Sequence, residues 1–189
     1  MLNLINSINY KDVDYIVDLT YDNVLIVFDV TEDEILSESE KVEVMHTLFF
    51  GKIEIDFEYK CEMVKIVFEY LNDDKKEKES KSKKKIMCFK EDAERICASF
   101  LQFYNLDLVK EKGKLHYKKF IALLNNLDDR SEFKKAVGYR QLKLPRRTKD
   151  NKEEYDRLKS LKEYYALECN KEIERQERIK RENEILDSI

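Results

Sequence analysis

The chain has 189 residues, of which 40% are charged and 42% belong to the hydrophobic set, with three glycines, one proline and no tryptophan. This composition favours long helices with solvated faces and argues against a turn-rich sandwich or barrel. The net charge of −4, from 36 basic and 40 acidic side chains, indicates no polyanionic partner. The sequence has no apolar run near the roughly 20 residues of a membrane span and no signal-peptide pattern. We therefore expect a soluble, intracellular protein.

The N-terminal part predicts a hairpin followed by an ambiguous segment. Residues 4–19 place alternating apolar residues on both sides of a polar turn at 11–14, which is typical of a β-hairpin. Residues 21–35 support two interpretations. Their β-branched run at 24–30 has strand propensity, whereas their apolar positions keep the three- and four-residue spacing of a helix.

Capping signals delimit the next helix. Ser37 or Ser39 is placed to begin it, and the spacing from Ser37 to Glu40 fits a capping box. Gly51 is placed to end it. A further helix is predicted from about residue 56 to residue 71, because its apolar residues fall on one side.

A lysine-rich segment at 73–85 interrupts the helical pattern. It contains seven lysines, four acidic residues and two serines, and therefore has almost nothing to bury. We expect a flexible linker between two helical parts. A nucleic-acid patch is the alternative, but the segment has no aromatic or arginine side chain to stack on or pair with a base.

Residues 89–147 hold the densest apolar periodicity and predict three amphipathic helices. The first runs over 89–104 and the second over 117–127, and Ser131 is placed to cap a third, shorter one. Pro145 then ends helical structure. The predicted apolar face of the first helix consists of Phe89, Ala93, Ile96, Cys97, Phe100, Leu101 and Tyr104.

The C-terminal part, from about residue 151 to residue 187, predicts one long helix or two in series. Ten of the fourteen residues at 171–184 are charged, so this half can be helical while burying little. The predicted fold is therefore a mostly α helical bundle with a small N-terminal β-hairpin and a projecting C-terminal helix. The predicted divisions are 1–72 (hairpin and helices), 73–85 (flexible linker), 86–147 (central three-helix core) and 148–189 (long charged helix).

The sequence offers no catalytic motif. It has no zinc-protease, nucleophile-elbow, phosphate-loop or dinucleotide-loop pattern, and its three glycines are far apart. On its apolar helix face, His46 is expected to be a core histidine, and His116 is expected to be a surface residue at a helix start. We expect no enzymatic activity and no cofactor.

The cysteines are expected to be structural thiols. Cys61, Cys88, Cys97 and Cys169 form no C-x-x-C pair, and three of them fall on or beside apolar helix faces. Neither a disulfide framework nor a metal site is predicted from this spacing.

Four segments carry a resemblance to a known family. They are FKEDA at 89–93, FLQFYNLDL at 100–108, LHYKKFIALLNNL at 115–127 and FKKAVGYR at 133–140. Their order resembles the bacteriophage gene-product-fifteen family, the tail-assembly chaperones of Gram-positive siphophages and prophages. All four are packing motifs.

The resemblance implies a non-enzymatic tail-assembly chaperone that binds the tape-measure protein in the host bacterial cytoplasm during tail morphogenesis. It also implies that residues 21–35 form a helix. Other tail proteins and a second copy of the chain are further candidate partners, whereas a membrane is not expected.

The predicted partner surface lies on the C-terminal helix, whose apolar side chains exceed what a single stripe can easily bury. Its residues are Tyr164, Tyr165, Leu167, Ile173 and Ile179. In the alternative interpretation, the first three of these close the domain's own core. The alternative function is a small nucleic-acid-binding or regulatory helical protein, whose contacts would be the lysines at 75–85 with Arg140, Arg146 and Arg147.

Overall fold

A computed structural model describes residues 4–72, 85–171, 175 and 178–179. In chain order the elements are β1 (Ser7–Tyr10), β2 (Val13–Ile16), α1 (Tyr21–Thr31), α2 (Glu38–Phe50), α3 (Phe57–Asn72), α4 (Ala93–Tyr104), α5 (Tyr117–Asn125), α6 (Glu132–Gln141) and α7 (Lys152–Tyr164). A further helical segment begins at Glu168. The predicted fold class, mostly helical with an N-terminal hairpin, is confirmed.

The described residues form two compact units. Unit 1 draws on Met1–Lys78 and Asp107–Asn126, and unit 2 draws on Glu79–Leu106 and Leu127–Ile189. The chain thus passes from unit 1 to unit 2, returns with α5 to unit 1, and ends in unit 2. This division differs from the predicted one, which placed α5 with α4 and α6. The predicted linker, apart from Lys85, lies outside the described residues.

The hairpin of unit 1 pairs β1 with β2 in antiparallel register, from Ser7 opposite Ile16 to Tyr10 opposite Val13. Its turn contains only Lys11 and Asp12, with φ angles of 50° and 61°. Positive φ at both central residues matches the right-handed twist of the strands. The predicted hairpin is confirmed, with a turn shorter than expected.

Residues 21–31 form helix α1, as the resemblance implies. Val24 and Val27 are both fully buried, and α1 packs against α2 and α5. The Tyr21 ring stacks on Phe120 of α5 with 4.9 Å between centroids, and the Tyr21 hydroxyl donates to the Leu108 carbonyl oxygen at 2.7 Å. Tertiary burial of one helical face therefore outweighs the strand propensity of the β-branched run.

The predicted ends of α2 are also confirmed. The Ser37 hydroxyl accepts from the Glu40 N–H, and the Glu40 carboxylate accepts from the Ser37 N–H at 2.9 Å. Gly51 follows the last turn with φ of 75°, a conformation that favours glycine. Its N–H donates to the Thr47 carbonyl at 2.9 Å.

Both histidines lie in unit 1. His46 is 1% exposed, which confirms the predicted core position, but its Nε2 has no hydrogen-bond partner among the described residues. His116 is the N-cap of α5, which confirms the predicted place at a helix start, but its side chain is half-buried and not fully at the surface. Its Nδ1 accepts from the Lys118 N–H at 3.1 Å, and its Nε2 lies 3.3 Å from the Ile5 carbonyl oxygen. These two contacts fit a neutral ring with the proton on Nε2.

Unit 2 is built around α4 and α6. Its buried apolar side chains are Ile96, Phe100, Leu127, Phe133, Ala136 and Leu167. The Ser131 hydroxyl accepts from the Lys134 N–H, which confirms the predicted cap of α6. Leu101 is 54% exposed and Ala93 is also exposed, so the prediction that both lie on the apolar face of α4 is wrong. Within the described residues, no helix has the length and apolarity needed to cross a membrane.

Candidate functional site

The predicted partner residues separate into exposed and buried positions. Tyr164, the last residue of α7, is 73% exposed, and Tyr165 beside it is half-buried. Leu167 is 1% exposed, so its side chain belongs to the core of unit 2. Ile179 is partly exposed, and Ile173 lies outside the described residues. The structure thus brings the two tyrosines together at the surface and places Leu167 beneath it.

Ring contacts join three tyrosines, from Tyr139 on α6 through Tyr165 to the exposed Tyr164. The Tyr165 ring lies parallel to the Tyr139 ring, with 5.3 Å between centroids and 3° between planes. Tyr164 meets Tyr165 edge to face at 4.9 Å. The Arg95 guanidinium lies 5.5 Å from the centroid of Tyr165. Burial, with the charge of Glu132, raises the pKa of Tyr165, so its hydroxyl stays neutral over the physiological range.

A buried ion pair holds the backbone of Tyr165 in place. The Arg140 side chain, 6% exposed, donates from Nη1 and Nη2 to the two carboxylate oxygens of Asp92, each at 2.7 Å, and the Asp92 side chain is 0% exposed. The Nε of Arg140 donates to the Tyr165 carbonyl oxygen at 2.5 Å. Paired charge-assisted bonds of this kind fix orientation as well as distance. The position of Tyr165 therefore depends on one arginine of α6.

Helix α7 is tied to the end of α6 by a lysine. The ammonium group of Lys162 donates to the carbonyl oxygens of Arg140 and Leu142, at 3.0 and 2.5 Å. These are carbonyls at the C-terminal end of α6, where a cation also stabilises the helix dipole. Every residue of α7 is described and none is fully buried, although Leu158 and Leu161 are partly covered. Its apolar edge is therefore incompletely packed.

The helical segment that follows is held by a distant carboxylate. Glu91 accepts from the Glu168 N–H at 2.7 Å and from the Cys169 N–H at 3.1 Å. Burial alone would raise the pKa of Glu91, but these backbone donors lower it overall. The Asn170 side chain accepts from the Lys85 N–H at 2.9 Å and donates to the Lys85 carbonyl at 2.6 Å.

The same region brings two cysteines together. A sulfur atom each from Cys88 and Cys169 and a carboxylate oxygen of Glu91 lie within 4.8 Å of one another. Burial, together with the hydrogen bond and charge of Glu91, raises the pKa of Cys169 to about 11. Sequence reasoning missed this group, because the two cysteines are far apart in the chain and lie outside any ligand motif.

The structure contradicts one residue of the nucleic-acid alternative. Arg140 is buried in its pair with Asp92, so its guanidinium is not available to a phosphate. Arg147 is exposed and contacts Asp156 at 3.1 Å. Of the lysines at 75–85, only Lys85 lies within the described residues.

Comparison with protein families gives a match. The model of a family described as Bacteriophage Gp15 protein matches residues 1–167. No curated protein and no solved structure matches the chain. The matched region contains both units as far as Leu167 and ends before the helical segment held by Glu91.

Proposed function

The chain belongs to the Bacteriophage Gp15 protein family, and from this premise we propose that it is a tail-assembly chaperone that binds the tape-measure protein. Family membership indicates a phage structural or morphogenesis protein. The chaperone role, the cytoplasm of the host bacterium as its place of action and the absence of catalysis are parts of the proposal. The observation that carries it is the family match, which extends over most of the chain, from residue 1 to residue 167.

A chaperone for a long helical client needs an apolar surface that is fully covered only in the complex. Tyr164 meets this requirement, because its ring is largely exposed and packs edge to face against Tyr165. A rigid aromatic side chain loses little conformational entropy on binding, and such residues often dominate interface energetics. The partly covered Leu158 and Leu161 extend this surface along α7.

The test is co-purification with the tape-measure protein of the same phage. The two proteins are co-expressed with a tag on the client, and the complex is analysed by size-exclusion chromatography. We expect a complex that survives high salt, because apolar contacts are screened far less than contacts to phosphates. A complex that dissociates as salt is added, or the absence of any complex, would contradict the proposal.

Tyr164→Ala locates the binding surface. We expect weaker retention of the client and little change in thermal midpoint, since exposed substitutions usually change stability by less than about 0.5 kcal/mol. Ile35→Ala is the matched control, because Ile35 is 93% exposed and lies in unit 1. If both variants retain the client equally well, Tyr164 is not the contact.

A further inference from the structure

The group formed by Cys88, Glu91 and Cys169 has the donor set of a metal site. Cys88 and Glu91 lie in the segment just before α4, and Cys169 lies in the helical segment that begins at Glu168. One ligand atom from each residue lies within 4.8 Å of the other two. Two sulfur donors and one oxygen donor suit a borderline-soft cation.

The backbones that carry these three side chains are held in place by other bonds. The Cys88 N–H donates to an Asp92 carboxylate oxygen at 3.1 Å, and that carboxylate is fixed in turn by Arg140. Glu91 holds the Cys169 N–H at 3.1 Å. The three donors therefore converge before any ion arrives, and this reduces the conformational cost of binding.

Glu91 keeps the capacity to bind an ion while it caps the helical segment. Each of its carboxylate oxygens accepts one backbone N–H, from Glu168 or from Cys169. A carboxylate oxygen has a second lone pair, so both roles are compatible.

We propose that Cys88, Glu91 and Cys169 bind one zinc ion, with water at the fourth position of a tetrahedron. Zinc–sulfur bonds of about 2.3 Å and zinc–oxygen bonds of about 2.1 Å place tetrahedral ligands roughly 3.5 Å apart. The three ligand atoms, which lie within 4.8 Å of one another, would draw together to that spacing around the ion. Each thiol gives up its proton to solvent as it coordinates, and the carboxylate is already ionised. The ion would lock the segment before α4 to the segment after α7.

The first test is a zinc titration of the full chain. The protein is stripped with a chelator, kept in a non-thiol reductant, and titrated with a zinc salt against a competing indicator. We expect one equivalent of zinc per chain. Cys88→Ser and Cys169→Ser should each lower the affinity at least tenfold, whereas Cys61→Ser and Cys97→Ser should bind as the parent does. Stoichiometric binding that survives in folded Cys88→Ser and Cys169→Ser, or no stoichiometric binding at all, overturns the proposal.

Thiol alkylation gives a second readout that does not require a variant. Zinc should slow the alkylation of Cys88 and Cys169, mapped by mass spectrometry, and should leave Cys61 and Cys97 unchanged. Glu91→Gln is the variant to use if a cysteine variant fails to fold. The glutamine amide oxygen can still accept a backbone N–H, but the negative charge is lost. We expect this variant to stay folded and to bind zinc more weakly. Equal alkylation of Cys88 and Cys169 with and without zinc would show that these thiols do not bind the ion.

Discussion

Unit 1 and the C-terminal part of unit 2 are held by different kinds of contact. In unit 1, aromatic and aliphatic side chains interlock, as where Tyr21 stacks on Phe120. In unit 2, Leu167 enters the core, but the chain around it is fixed by charged groups. Arg140 holds the Tyr165 carbonyl, Lys162 holds two carbonyls of α6, and Glu91 holds two backbone N–H groups. Apolar packing is non-directional and summed over many atoms, whereas these polar bonds each depend on one side chain.

The largest expected effects come from one phenylalanine in the core of each unit. Phe100 of unit 2 and Phe120 of unit 1 are both fully buried. Phe100→Ala and Phe120→Ala should each lower the free energy of unfolding by about 3–5 kcal/mol, because a cavity adds to the lost burial. Urea denaturation measures both. Leu101→Ala is the exposed control and should change stability little. A change within about 0.5 kcal/mol in either phenylalanine variant would mean that its side chain is not packed as described.

Breaking the buried ion pair of unit 2 should have the next largest effect on stability. Arg140→Ala leaves the buried Asp92 carboxylate with only the longer ion pair to Arg95, at 3.5 Å, and we expect the free energy of unfolding to fall by about 3 kcal/mol. The double variant Asp92→Leu with Arg140→Met should lose less, because no buried carboxylate remains and the charge of Arg95 is partly exposed. Arg147→Ala, which breaks the exposed pair with Asp156, should change stability by no more than about 1 kcal/mol. Equal losses in the two arginine variants would contradict the difference between a buried and an exposed pair.

A pH titration should distinguish the units, because unit 1 holds both histidines of the chain. Burial, with the charge of Lys60, lowers the pKa of His46 although Glu43 opposes it. Burial, with the charge of Lys118, also lowers the pKa of His116 although the Ile5 carbonyl opposes it.

Both folded-state pKa values therefore lie below the unfolded value of about 6.5. The stabilisation from the neutral rings is present above pH 6.5 and is lost as the pH falls through the folded values. We expect the free energy of unfolding to decrease below about pH 6.5, by less than in the core variants. His116→Gln should flatten this dependence without removing it, since His46 still titrates. An unchanged pH profile in that variant would show that His116 does not contribute.

The smallest effect on stability should come from removing residues 172–189. The truncated chain keeps Leu167 in the core and keeps the bonds of Asn170 to Lys85. The thermal midpoint should therefore barely move. If Ile173 and Ile179 contact the client as predicted, co-purification of the tape-measure protein should weaken markedly. A truncated chain that holds its client as well as the full chain would confine the binding surface to the part that ends at Lys171.

Local sequence signals determined the parts of this protein that depend on neighbouring residues. The capping box at Ser37, the cap at Ser131 and the stop at Gly51 were all predicted, because each requires only a few side chains close together in the chain. The hairpin was predicted for the same reason.

Only the tertiary structure decided which faces meet. Residues 21–31 carry both helix and strand signals, and burial of Val24 and Val27 against α2 and α5 selects the helix. Periodicity showed that α5 has an apolar face, but not that this face packs in unit 1. The approach of Cys88 to Cys169 and the pairing of Asp92 with Arg140 carry no sequence signal at all. A hydrophobic pattern specifies that a surface must be buried, whereas its partner is selected by the three-dimensional packing of residues distant in the chain.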